Sequence, residues 1–175
     1  MGTGSRLRST LLVAPTGAGK TLAGFLPSLV ELAERGGKHD GLHTLYISPL
    51  KALAVDVQRN LLTPIEEMDV AIRVETRTGD TPHERKVRQR ARPPEILVST
   101  PESLSLLLSY EDSLTMFAGL KTVVIDEVHA FATGKRGDLL SLAMARLQRL
   151  APEMRRVALS ATVAAPPGYR AWRGP

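Results

Sequence analysis

The sequence predicts an α/β fold, a mainly parallel sheet with helices on both faces, and three observations predict it. Short runs rich in Val, Ile and Leu alternate with longer runs of helical character along the 175 residues. The short runs are apolar at consecutive positions rather than alternate ones, as suits strands buried on both faces. Each ends in a polar cluster, and strands that alternate with helices bring such clusters to one rim of a parallel sheet, where α/β proteins hold ligands.

The first strand is read at residues 10–14, TLLVA, and the first helix at 19–35, an amphipathic run. Between them lies APTGAGKT, Ala14 to Thr21. Glycines let such a loop curl until its N–H groups point at an anion, and the following helix adds the positive end of its dipole. A polyphosphate is the ligand that needs this. Lys20 would reach its outer phosphates and the Thr21 hydroxyl would ligate magnesium. The strict pattern opens on glycine where this chain has Ala14, but the four residues that do the chemistry, Gly17, Gly19, Lys20 and Thr21, are present.

Further strands are read at 43–48 (HTLYIS), 71–75 (AIRVE), 95–99 (EILVS), 121–126 (KTVVID) and 155–160 (RRVALS). Helices are read at 51–68, 82–90, 101–108 and 137–150. The last, GDLLSLAMARLQRL, repeats apolar residues at helical spacing with arginines between, and its Met144 is assigned to core packing. On this reading the phosphate loop, SPLKAL, TRTGD, STPESL, DEVH and SAT all fall at the carboxyl ends of strands.

In DEVH, the strand KTVVI brings Asp126 and Glu127 to the rim. Neighbouring carboxylates repel, so the pair is costly unless a cation or specific donors offset it. With Lys20 and Thr21 upstream, Asp126 is assigned to magnesium and Glu127 to the attacking water, in preference to an acidic loop that merely caps a turn.

Bulk properties fit one globular domain, which at this size buries about 70% of its unfolded surface. The absence of cysteine excludes disulfides and thiolate metal sites, and the four histidines, His39, His43, His83 and His129, are read as surface or site residues rather than a zinc centre. No run suits a signal core or approaches the roughly 18 apolar residues of a membrane span. A cytoplasmic protein is expected, with no membrane partner. The net charge of +5 favours an anionic partner. Arg73, Arg77, Arg85, Lys86, Arg88, Arg90 and Arg92 concentrate that charge, and taken alone the segment reads as a solvated helix face.

APTGAGKT, DEVH and SAT, in this order, resemble motifs I, II and III of superfamily 2 helicases of the DEAD/DEAH-box kind. SPLKALAVDVQRNL, RTGDT and STPESLSLLLS resemble the intervening nucleic-acid-contact motifs, and DEVHAFATGKRGDLLSLAMARL resembles the large helicase-related, or Lhr, group of DNA helicases. The resemblance implies a three-layer P-loop NTPase: a RecA-like helicase domain 1 over residues 10–163, with an extension at 1–9 and a tail cut short at 164–175. It implies that Thr16, Gly17, Ala18, Gly19, Lys20 and Thr21 hold the phosphates of ATP, and that Lys20, Asp126 and Glu127 are catalytic with Mg2+ on Thr21 and Asp126. His129, Ser160 and Thr162 would link nucleotide state to nucleic-acid grip, and Pro49, Lys51, Thr78, Gly79, Thr100, Pro101 and Glu102 would follow the sugar-phosphate backbone of single-stranded or partly duplex DNA. Such contacts leave base sequence unread, and the basic segment after Gly79 would flank them.

The family's second RecA-like domain, which normally supplies arginine fingers, has no counterpart in the sequence, and no adenine-recognising segment is recognisable before the first strand. Loss of an arginine finger costs about 10³ to 10⁵ in phosphoryl transfer. The expectation is therefore weak nucleotide binding, very slow hydrolysis and no unwinding by the chain alone, with Tyr169 and Trp172 in the tail left without cover. Two alternatives stay open: a non-catalytic module that binds single-stranded nucleic acid, and RNA in place of DNA. A GTPase is disfavoured by the lack of an Asn-Lys-x-Asp motif, and a small-molecule kinase leaves DEVH with SAT unexplained.

Overall fold

Six parallel strands form one sheet in the order β1-β6-β5-β2-β4-β3. They are β1 (Ser9–Val13), β2 (Thr44–Ile47), β3 (Val74–Arg77), β4 (Ile96–Ser99), β5 (Thr122–Ile125) and β6 (Arg155–Ser160). The helices are α1 (Lys20–Glu34), α2 (Lys51–Glu67), α3 (His83–Ala91), α4 (Pro101–Leu108), α5 (Ser113–Phe117) and α6 (Lys135–Leu150), with a 3-10 turn at Val128–Phe131. The computed structural model describes residues 9–13, 19–36, 41–132 and 134–161. Among them no helix is long and apolar enough to cross a membrane.

The consecutive apolar residues of the central strands serve two cores. Leu45 and Ile47 of β2, Leu97 of β4 and Val123 and Ile125 of β5 face α4, α5 and α6, where Leu104, Phe117, Leu140 and Leu147 are also buried. Met144 lies in this core, as the helical spacing requires. Tyr46, Val98, Val124 and Leu159 face the opposite way, onto Phe25 and Leu29 of α1 and Val57 and Leu61 of α2. Each such side chain contributes roughly 1.5–3 kcal/mol of burial. Gly24 lets α1 lie close to the sheet: a Cβ there would stand 3.2 to 3.3 Å from Leu159 and Val124.

Three differences from the sequence reading have physical causes. The third strand runs Val74–Arg77 rather than 71–75, because pairing with β4 sets its register. Arg77 sits opposite Ser99, whose hydroxyl donates to the Arg77 carbonyl at 2.8 Å. At the start of the segment Glu95 accepts from the Arg73 amide at 2.8 Å and holds it outside the ladder. The last helix begins at Lys135, two residues early, after Gly134 at φ 88°. The short α5 and the 3-10 turn carry no periodicity that a sequence reading registers.

The basic segment is also less available than its composition implies. Arg73 pairs with Glu95 at 2.8 Å, Arg88 with Glu75 at 2.8 Å, and Arg90 with Asp112 at 3.2 Å while stacking over Tyr110. Arg77 is 1% exposed and donates to the Lys86 carbonyl at 2.8 Å. Burial pulls its guanidinium pKa below the ordinary value. Helix α3 is the solvated face its composition suggests, with only Gln89 buried, but these four cations and Lys86, which donates to the Gly79 carbonyl, are already engaged by groups of the fold.

Candidate functional site

At the carboxyl end of the sheet, α1 starts immediately after Gly19, which holds φ 72° in the left-handed region where glycine meets no steric penalty. The first turn of α1 contains no acidic side chain of its own to offset the positive end of its dipole. Lys20 lies there, 8% exposed, with its Nζ 3.8 Å from Glu127 Oε1. Among the described residues that ammonium has no hydrogen-bond partner. A buried cation in this state is costly unless something anionic satisfies it.

The acid pair follows from β5. Asp126 continues the ladder for one residue, its amide donating to the Ile47 carbonyl at 2.9 Å, and its Oδ1 accepts from the Glu127 amide at 2.9 Å. Burial pushes the Asp126 carboxyl pKa up. The Glu127 charge adds to this, and the Tyr46 hydroxyl, the Glu127 amide and Lys20 oppose it. Glu127 itself adopts φ 44°, an uncommon conformation for a residue with a Cβ. The turn it makes sets its carboxylate between Lys20 and His129, whose Nδ1 lies 3.3 Å from Glu127 Oε2. The same Nδ1 lies 3.3 Å from Ser160 Oγ, so a residue of DEVH meets a residue of SAT.

Tyr46 was not singled out in the sequence. It is fully buried on β2, stacks on Phe25 with ring centroids 4.8 Å apart, and turns its hydroxyl toward Asp126 and Thr21. Burial first, then the Asp126 charge, push its pKa far above the ordinary value. The phenol is therefore neutral, and its hydroxyl is buried without a well-aligned hydrogen bond among the described residues. A polar atom in an apolar strand two residues before SPLKAL was the available signal.

Lys20 and the acid pair border a cleft of about 430 Å³, lined by Gly19, Lys20, Thr21, Asp126 and Glu127 together with Leu53, Asp56 and Asn60 of α2. Asp56 and Asn60, four apart on α2, also went unnoticed in the sequence. The donor set suits a magnesium polyphosphate: an unsatisfied ammonium and an uncapped helix start for the anion, a hydroxyl and a carboxylate for a hard cation. Thr16, Gly17, Ala18 and Thr162, like Tyr169 and Trp172, lie outside the described residues.

Beside the cleft, the loops after β2, β3 and β4 carry the seven residues expected to follow a nucleic-acid backbone. Pro49, Thr78, Thr100 and Pro101 are buried, and Lys51, Gly79 and Glu102 are exposed. Thr100 caps α4, accepting from the Ser103 amide at 3.4 Å, and the Thr78 amide donates to Thr81 Oγ1 at 2.9 Å. Lys51 Nζ donates to both oxygens of Asp80 at 2.9 and 3.0 Å, and Lys86 Nζ donates to the Gly79 carbonyl at 2.8 Å. The threonines thus shape their own turns, and the charged side chains at the rim include Lys51, Lys86, Asp80 and Glu102.

Residues 3–167 match the family model for the DEAD/DEAH box helicase. The chain belongs to that family. Among curated proteins, this DEAD/DEAH box chain is 45% identical over 177 residues to the Lhr helicase/uracil glycosylase of Escherichia coli strain K12, an alignment covering 91% of this chain and 11% of the relative. It is 42% identical over 170 residues to the ATP-dependent helicase Lhr-Core of Methanothermobacter thermautotrophicus, covering 90% and 20%. The chain therefore spans between about a tenth and a fifth of the length of these relatives. Among solved structures, Mycobacterium smegmatis helicase Lhr bound to ssDNA and AMP-PNP superposes with a TM-score of 0.83 at 43% identity, covering 93% of this chain and 22% of that one. DEAD-box helicase Mss116 bound to ssRNA and UDP-BeF superposes with a TM-score of 0.80 at 19% identity, over 92% of this chain and 33% of that one, and shows the fold alone. The all-parallel sheet with flanking helices is thus that of RecA-like helicase domains.

Proposed function

We propose that this DEAD/DEAH box domain is the magnesium-ATP-binding unit of an Lhr-like DNA helicase, with residues 10–163 as its RecA-like domain 1. The single observation that carries the nucleotide part is the buried, unsatisfied Lys20 ammonium beside Glu127 at the start of α1. Lys20 and the loop Thr16 to Thr21 hold the phosphates. Thr21 and Asp126 would hold magnesium, which when bound would screen the charge on the phosphate oxygens. Glu127 orients and deprotonates the attacking water. His129, in contact with both Glu127 and Ser160, reports the state of the cleft through Ser160 to the neighbouring loops.

Those loops, from Pro49 and Lys51 through Thr78 and Gly79 to Thr100, Pro101 and Glu102, take the sugar-phosphate backbone of a single strand. The ssDNA in the Lhr structure, at 43% identity, favours DNA as the ligand. Coupling hydrolysis to translocation needs a second RecA-like domain that closes on the strand with each turnover, so this domain alone does not unwind.

The test is magnesium-ATP binding by the purified chain and by Lys20→Ala, followed by steady-state ATP hydrolysis with and without single-stranded DNA, in which the same variant is the contamination control. Magnesium-ATP binding that Lys20→Ala abolishes supports the reading. Undiminished binding in that variant refutes it.

A further inference from the structure

Arg136 stands outside every motif assigned a role above, yet its guanidinium spans two loops from different strands. Nη2 donates to the Pro49 carbonyl at 2.7 Å, Nε donates to Glu102 Oε1 at 2.6 Å, and Nη2 also reaches Glu102 Oε2 at 3.3 Å. Pro49 follows β2, and Glu102 lies in the first turn of α4 after β4, so the contact joins segments distant in sequence. A planar guanidinium fixes both partners at once in a way that a point charge on a flexible stem does not.

The base of this fork is itself held. Arg136 lies in the first turn of α6, next to Gly137, and a Cβ at Gly137 would collide with the Phe131 carbonyl. The start of α6 therefore packs backbone to backbone on the 3-10 turn Val128–Phe131. The Phe131 ring lies 5.8 Å below the guanidinium. That turn directly follows Glu127 and contains His129. From the acid pair to the two loops there is thus an unbroken run of contacts: the 3-10 turn, the Gly137 packing, the Arg136 fork, then Pro49 and Glu102.

We propose that Arg136 is a positioning residue: it clasps the loops after β2 and β4 at a fixed spacing and carries that spacing on the block that bears Glu127 and His129. The inference rests on reading these loops as the nucleic-acid rim, for which the spacing would set the pitch of successive phosphates. A rival role has different consequences. If Arg136 were itself a phosphate ligand masked by Glu102, removing the Glu102 charge would release a cation and tighten binding. If it is a clasp, removing that charge loosens the rim and weakens binding.

Two measurements decide between them, made on the full chain as Arg136→Ala, Glu102→Gln and the double variant. The first is amide hydrogen exchange without nucleic acid, with the urea midpoint as a control for global stability. The clasp requires exchange at Leu50, Lys51, Thr100 and Glu102 to quicken roughly tenfold in Arg136→Ala while β4, β5 and the urea midpoint are unmoved. The second is anisotropy with a labelled oligo-dT across a salt series. Binding should weaken about fivefold in each single variant, no further in the double, with an unchanged salt slope. Unchanged exchange overturns the proposal. So does tighter binding by Glu102→Gln, or a salt slope that falls by about one in Arg136→Ala. Quickened exchange in a chain that binds no oligonucleotide supports the clasp and refutes the nucleic-acid reading of the rim, so the two failures are distinct.

Discussion

Replacing Lys20 by methionine should remove nucleotide binding while leaving the stability of the nucleotide-free chain nearly unchanged. At 3.8 Å the Lys20–Glu127 pair gains about 4 kcal/mol of attraction, taking an effective dielectric constant near 20. Opposing this, burying an ammonium costs several kcal/mol, and here no hydrogen bond among the described residues offsets that cost. Methionine keeps the apolar stem and removes the charge. Glu127 retains His129 at 3.3 Å and partial contact with water. The two large quantities therefore cancel to within about 1 kcal/mol. Nucleotide changes the balance only where the ammonium exists. At 100 times Kd, ligand stabilises the wild-type fold by about 2.7 kcal/mol, a rise of roughly 5–10 °C in Tm for a domain of this size. Urea and thermal melts of both proteins, with and without magnesium-ADP, measure the net stability change and the ligand-induced shift. Destabilisation of nucleotide-free Lys20→Met by more than about 3 kcal/mol would refute it, since Lys20 would then be half of a structural ion pair rather than a group held ready for an anion.

Glu127→Gln should retain magnesium-ATP affinity within about twofold and slow hydrolysis by about 10² to 10⁴, read by filter binding and single-turnover assay. Gly137→Ala should cost roughly 1–3 kcal/mol in a urea melt, because the added Cβ meets the backbone carbonyl of Phe131 rather than a yielding side chain. For Glu102, burial pushes the carboxyl pKa up, but hydrogen bonds from Arg136 and its own backbone amide outweigh this and leave it below the ordinary value. A depressed folded-state pKa contributes stability above the ordinary glutamate range and loses it as pH falls through the lowered value. Arg136→Ala should therefore flatten that part of the acid limb of a stability-versus-pH curve, and an unchanged limb would show that the ion pair has no thermodynamic weight.

The rim was legible in the sequence because its chemistry is local. Gly19-Lys20-Thr21 and Asp126-Glu127 each follow an apolar run, and a parallel sheet puts the ends of all such runs on one edge whatever the strand order. The resemblance grouped His129 and Ser160 by role alone, and their contact at 3.3 Å was visible only in the structure. Tyr46 was missed because a buried aromatic in a strand looks like core until its hydroxyl is seen beside Asp126 and Thr21. Asp56 and Asn60 were missed because two polar residues on one turn of a helix read as a solvated face.

By itself, the sequence determined the strand-helix alternation, the polar ends of the strands and the residue types able to bind a magnesium polyphosphate, since these depend on neighbours a few positions apart. Only the tertiary structure decided which charges are free to act. Arg77 is buried, Arg73 and Arg88 are neutralised by Glu95 and Glu75, and Arg136 joins Pro49 to Glu102, while Lys20, alone among these cations, is buried without a hydrogen bond among the described residues. The reason is physical: the effect of a charge is set by its distance to other charges and to water, and both distances are fixed only when remote segments of the chain pack together.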